Sequence, residues 1–157
     1  MLSSAELAAT YDVIVIGGGP VGCAAAQQAA FLGRNALLID DPKGLDEHTL
    51  DVSFGGPTGL FSKALRDVAK SIDLDALCKH EGMSDADIWA HVGENITRLA
   101  SNNASKQVDL LSQMRVVHLR ARAQVVPSGD AVVACLPGGS EVTIKTRHIL
   151  IATGSSP

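Results

Sequence analysis

The sequence predicts an α/β fold in which a parallel sheet carries an inserted antiparallel β-meander. Three observations lead there. Short apolar runs recur at 12–16, 35–39 and 148–152, a glycine-rich turn joins the first of them to a small-residue helix, and strong turn chemistry divides the last third of the chain. The 157 residues suffice for one domain with a sizeable core.

Asp12-Val13-Ile14-Val15-Ile16 reads as a buried strand, and Gly17-Gly18-Gly19-Pro20-Val21-Gly22 follows it as G-x-G-x-x-G. Each glycine of the motif has its own task. Gly17 lets the chain turn sharply off the strand, Gly19 leaves the backbone bare for a pyrophosphate, and Gly22 lets the helix pack closely on the strand. The helix is expected from Pro20 to Leu32, with Pro20 in the first turn, where its missing N–H costs nothing, and Gly33 as the stop. Its start presents the positive end of the helix dipole and free N–H groups, which suit phosphate. Cys23-Ala24-Ala25-Ala26 keeps the helix slim against the sheet. Asn35 to Ile39 reads as a second parallel strand, buried on both faces because its apolar run is unbroken. Asp40 closes it about twenty residues after the turn, where a carboxylate accepts from a ribose hydroxyl and disfavours a 2′-phosphate. The order strand, turn, helix, strand, acid is that of a Rossmann-like dinucleotide-binding unit.

Beyond Asp41 the chain leaves the sheet through a loop rich in Gly, Pro and acid, reaching Gly59. Helices are expected near 59–72 and from Ser84, the first striped by Phe61, Leu65, Val68 and Ile72, the second by Ile88, Val92, Ile96 and Leu99. Asn102 and Asn103 are expected to break the second, and Val108 to Met114 adds a shorter amphipathic piece. Val116–Val126, Ala131–Leu136 and Glu141–Lys145 then read as the meander, separated by Pro127-Ser128-Gly129-Asp130 and Pro137-Gly138-Gly139. His148 to Ala152 reads as one more buried strand, and the small residues after it leave room for a ligand beside the first turn.

An apolar content of 46% and a formal charge of −4 fit an ordinary soluble protein. No basic stretch points to nucleic acid, and no apolar run approaches the length of a membrane span. Cys23, Cys78 and Cys135 are far apart, with no C-x-x-C and no metal-ligand cluster. Reduced, buried cysteines and an intracellular setting are the expectation, with cytoplasm and organelle left open.

Asp12 to Asp40, Ser62-Lys63-Ala64-Leu65 and Ile151-Ala152-Thr153-Gly154-Ser155-x-Pro157 together resemble the flavoprotein pyridine nucleotide-disulfide oxidoreductases. That family includes glutathione reductase, dihydrolipoamide dehydrogenase and mercuric reductase. The resemblance covers nearly the whole chain and implies that residues 1–157 are an FAD-binding domain, the N-terminal part of a longer architecture. It implies that Gly17, Gly18, Gly19, Pro20, Val21 and Gly22 border the FAD pyrophosphate, and that Asp40, followed by Asp41, replaces the usual glutamate on the adenosine ribose. Arg122 and Ala123 match the segment whose backbone touches adenine, Lys63 the lysine near flavin N5, and Ala152, Thr153 and Gly154 the strand end that lines the cofactor. NAD(P)H is expected only through a domain outside this chain, and a full-length form is compatible with a homodimer or larger assembly.

One departure alters the chemistry. The family's redox-active C-x-x-x-x-C pair, counted back from Ser62-Lys63, falls on Phe54 and Gly59, neither of which forms a thiolate. No disulfide relay and no catalytic residue are therefore carried over. Thr58 either supplies a hydroxyl to a loop over the flavin or serves a turn. Two readings remain. The chain belongs to an FAD-dependent NAD(P)H oxidoreductase with a non-disulfide acceptor, or it is a redox-silent scaffold or complex subunit that keeps the nucleotide-binding fold. The intact phosphate and ribose elements favour the first.

Overall fold

The computed structural model describes residues 9–41, 102 and 104–154. The chain enters the sheet with β1, Tyr11–Ile16, turns into helix α1, Pro20–Phe31, and returns along β2, Ala36–Asp40. Asn102 and residues 104–113 are helical, the latter forming α2. Four strands follow: β3 (Val117–Arg120), β4 (Arg122–Val125), β5 (Ala131–Cys135) and β6 (Glu141–Ile151). The six strands form one sheet in the order β3-β2-β1-β6-β5-β4.

Strand alternation sorts the apolar residues into two layers. Ile14, Ile16, Leu37 and Ile39 join Leu119, Val132, Ala134 and Ile144 in one cluster. Val15 and Leu38 point the other way, toward Cys23 and Ala26 of α1 and Leu111 of α2. The expectation that the second strand is buried on both faces holds, since Ala36 to Ile39 are all at most 1% exposed. Gln27 and Gln107, hydrogen-bonded at 3.0 Å, tie the two helices together.

α1 ends in a complete Schellman motif. Arg34 N–H donates to Ala29 O, Gly33 N–H donates to Ala30 O, and Gly33 takes a φ of 73°. Leu32 is therefore the cap rather than the last helical residue expected from sequence.

The last third departs from the simple meander in two places. The run 116–126 is not one strand. Val117–Arg120 pairs parallel to β2, and only Arg122–Val125 pairs antiparallel to β5. The break is at Ala121, 1% exposed, whose N–H donates to the Asp40 carbonyl at 2.9 Å and turns the chain away from β2. Conversely, Glu141–Lys145 and the following apolar run are a single strand. β6 pairs antiparallel to β5 through Glu141–Lys145 and parallel to β1 from Thr146 onward. The end of β6 is also less buried than its composition suggests, with Leu150 37% and Ile151 67% exposed. Beyond Lys145 no strand among the described residues pairs with its outer edge.

Helix α2 starts before Val108 and Asn102 is itself helical, while Asn103 and the helix that these two were expected to break lie outside the described residues. Cys23 is buried, whereas Cys135 is only half-buried and donates to Glu141 Oε1 at 3.5 Å. Cys78 and the expected helices near 59–72 and after Ser84 lie outside the described residues.

His118 on β3 has its pKa lowered from the usual 6.5, first by burial and then by the Arg120 charge. A histidine held below its unfolded value favours folding in its neutral form. Its contribution is complete above about pH 6.5 and is lost as pH falls from there to the folded value. Denaturant titrations across that window are expected to show His118→Gln losing less stability on acidification than the wild type. Equal losses would remove His118 from the acid response.

Candidate functional site

β1 lies between β2 and β6, with its crossover through α1 leading to β2 on one side and β6 filling the other. Where neighbouring strands diverge in this way, a crevice opens at the carboxyl ends of the parallel strands. The residues singled out by sequence converge there. Gly17 N–H donates to Ile39 O at 2.7 Å, and Ala152 N–H donates to Ile16 O at 2.7 Å. The glycine turn is thus bracketed by the tip of β2 and the end of β6.

Space around the three motif glycines differs sharply. Gly17 has a φ of 110°, and a Cβ on it would run into the Ala152 carbonyl. A Cβ on Gly22 would overlap the Gly17 carbonyl oxygen, so α1 sits directly against the turn. Gly19, in contrast, has no described residue within 4 Å of a Cβ position. Two glycines are there because protein fills the place of a side chain, and among the described residues nothing fills that place at the middle one.

Gly19 is the N-cap of α1 and offers no side-chain cap, with Pro20 at the first helical position. Cys23 N–H makes the first intrahelical bond, to Gly19 O at 2.9 Å. The N–H groups of Val21 and Gly22 therefore lack intrahelical acceptors and lie at the positive end of the dipole. Such a start suits an anion that spans several oxygens.

Gly18 is held from both sides. Its N–H donates to Asp40 Oδ1 at 2.7 Å, and its carbonyl accepts from the Cys23 thiol at 3.3 Å. Asp40 is in register with Arg120 at the end of β2, and Asp41 accepts from Arg122 Nε at 3.2 Å. Ala123 follows Arg122 in β4, opposite Ala134. Thr153 and Gly154 are exposed beyond β6, and Gly154 takes a φ of 74°. The structure therefore gathers Gly17 to Gly22, Asp40 and Ala152 at the carboxyl ends of β1, β2 and β6 and sets Asp41 beside Arg122. Thr58 and Lys63 lie outside the described residues. The Gly18–Asp40 hydrogen bond and the Asp41–Arg122 contact are features that sequence reasoning missed, since no spacing rule joins these positions.

The Asp41–Arg122 pair is open to water, its side chains 47% and 78% exposed. Exposed pairs contribute about 0–1 kcal/mol. Arg122→Ala is accordingly expected to lower unfolding stability by less than about 1 kcal/mol in denaturant. A larger loss would show that this arginine is structural.

The model of the pyridine nucleotide-disulphide oxidoreductase family matches residues 11–157. The chain belongs to that family. Among family relatives, it is 29% identical over 160 residues to a dihydrolipoyl dehydrogenase of Chlorobaculum tepidum, covering all of this chain and 33% of the relative. It is 29% identical over 150 residues to a soluble pyridine nucleotide transhydrogenase of Hahella chejuensis, covering 94% of this chain and 31% of the relative. The HOCl-induced flavoprotein disulfide reductase RclA of Escherichia coli shares the fold, with a TM-score of 0.63 at 17% identity over 94% of this chain and 29% of that one. The chain spans about a third of the length of the curated relatives it matches. Within the family fold, the described residues contain no helix long and apolar enough to cross a membrane. No group of three or more metal-ligating side chains gathers among them either.

Proposed function

We propose that this chain is the FAD-binding domain of a flavoprotein oxidoreductase, the N-terminal part of a longer protein whose nicotinamide site lies outside these residues. The observation that carries the reading is the contrast among the three glycines. Gly17 and Gly22 close the turn against protein, while Gly19 keeps an open cradle at an uncapped helix start that a Cβ would fill. That cradle fits a pyrophosphate bridge, which needs close backbone approach and several N–H donors.

In this reading Gly17 to Gly22 border the pyrophosphate and Asp40 accepts from the adenosine ribose. The segment Arg122–Ala123 lies along adenine, and Ala152, Thr153 and Gly154 line the cofactor from the end of β6. Lys63 is assigned to the flavin end through the family resemblance, and Thr58 either supplies a hydroxyl to the loop over the flavin or serves a turn. When bound, the flavin supplies the redox chemistry, and the protein contributes binding, orientation and electrostatics. Phe54 and Gly59 stand where the family's cysteine pair would be, so the acceptor is a non-disulfide one. An intracellular setting accords with reduced cysteines.

Visible absorption of the purified protein tests the reading. A yellow preparation, or one that turns yellow on adding FAD and gel filtration, is the expected result. A colourless protein that ignores FAD would instead support the redox-silent scaffold. Bleaching of that colour by NADH or NADPH in the longer protein is the expected sign of oxidoreductase activity.

A further inference from the structure

We infer that Asp40 is a positioning residue for the glycine turn, fixing the Gly18 peptide before any nucleotide arrives. The inference rests on the dinucleotide reading above and adds a second task to the residue assigned there to ribose.

Gly18 has no side chain with which to anchor itself, and glycine rotates more freely than any other residue. Its peptide is nonetheless held at both ends. Asp40 Oδ1 accepts its N–H at 2.7 Å, from 22 positions away along the chain. The Cys23 thiol reaches its carbonyl at 3.3 Å in a buried contact. The residue before it is tied to β2 by Gly17 N–H on Ile39 O, and the residue after it is the N-cap of α1. Gly18 is thus the hinge between a turn clamped to the sheet and the helix start that offers its N–H groups to phosphate. A charge-assisted bond is the strongest restraint that one side chain can place on such a hinge. Because a carboxylate has about four acceptor sites, holding Gly18 and accepting from a sugar are compatible tasks.

The consequence is that Asp40 contributes to nucleotide affinity through the phosphates as well as through the sugar. A turn already shaped for its ligand loses less freedom on binding. Removing the carboxylate therefore weakens even a ligand that has no hydroxyl for it to grip.

The test compares wild type, Asp40→Ala and Asp40→Asn in 15N-labelled protein, by amide exchange without ligand and by FAD titration. Gly18 N–H is expected to exchange at least about tenfold faster in Asp40→Ala, with Asp40→Asn close to wild type because it keeps an acceptor. Amides of Ile14 and Leu38, both fully buried in the sheet, report whether the fold is intact. The loss of FAD affinity in Asp40→Ala, at least about tenfold, is expected to persist with FAD lacking both the 2′- and the 3′-hydroxyl of the adenosine ribose. Unchanged Gly18 exchange in Asp40→Ala, or a loss that disappears with the 2′,3′-dideoxy ligand, overturns the inference. Asp40→Leu, similar in volume but without acceptors, serves if the alanine variant does not fold. If wild type takes up no FAD, the dinucleotide reading fails, while the ligand-free exchange comparison still decides the role of Asp40.

Discussion

Replacing Gly22 by alanine is expected to destabilise the domain by about 1–3 kcal/mol, the usual cost of forcing one methyl into a filled space. The new Cβ would overlap the Gly17 carbonyl oxygen, and neither partner can easily give way. Gly17 is fixed by its 2.7 Å hydrogen bond to Ile39 O and lies against the Ala152 backbone. Gly22 is in the first turn of α1, one residue before Cys23, and Cys23 and Ala26 are both core residues. Relief requires α1 to lift off β1, which opens that layer of the core. A denaturant midpoint lowered at unchanged slope is the expected signature. Val21, 65% exposed, provides the control, since Val21→Ala should move stability by less than about 0.5 kcal/mol. A Gly22→Ala protein as stable as wild type would mean that helix and strand are farther apart than described.

Gly19→Val is expected to give the opposite pattern: a folded protein that has lost its nucleotide. Among the described residues nothing lies within 4 Å of the Cβ position, and the backbone angles of −69° and −178° are ordinary for any residue. Replacing glycine by valine at an N-cap costs about 1 kcal/mol, too little to unfold a domain of ordinary stability. The isopropyl group would occupy the place proposed for the pyrophosphate. FAD affinity should fall by about two orders of magnitude or more, because the clash adds to the loss of phosphate hydrogen bonds. Calorimetric or fluorescence titration, beside an unfolding curve, separates the two effects. Normal FAD binding by Gly19→Val would show that the phosphates lie elsewhere.

The central part of this fold was legible because its signals are local and dense. Gly17 to Gly22, Gly33 and the unbroken run before Asp40 each have one backbone task, and they appear in chain order. The meander was less so. Between Val116 and Val126 no Gly, Pro or Asn marks the break at Ala121, which is set by a hydrogen bond to the Asp40 carbonyl, far back in the sequence. Between Lys145 and His148 the sequence changes partner strands without changing its own conformation, so composition cannot locate the switch. In the site, residue types identified Asp40 as an acceptor. That Gly18 donates to it, and that Asp41 meets Arg122, are tertiary facts with no spacing signature.

The shared strand β6 also bears on how such a chain matures. β1 leaves the ribosome well before β6, since Val13 pairs with His148, about 135 positions later. At synthesis rates of roughly 5–20 residues per second, one flank of β1 waits about 7–27 s for its neighbour. β2 can dock early and shield the other flank, but the open one presents unsatisfied backbone groups throughout that delay. Translation speed and chaperone occupancy during this interval should therefore influence the yield of native protein more than they would for a chain built from sequential hairpins.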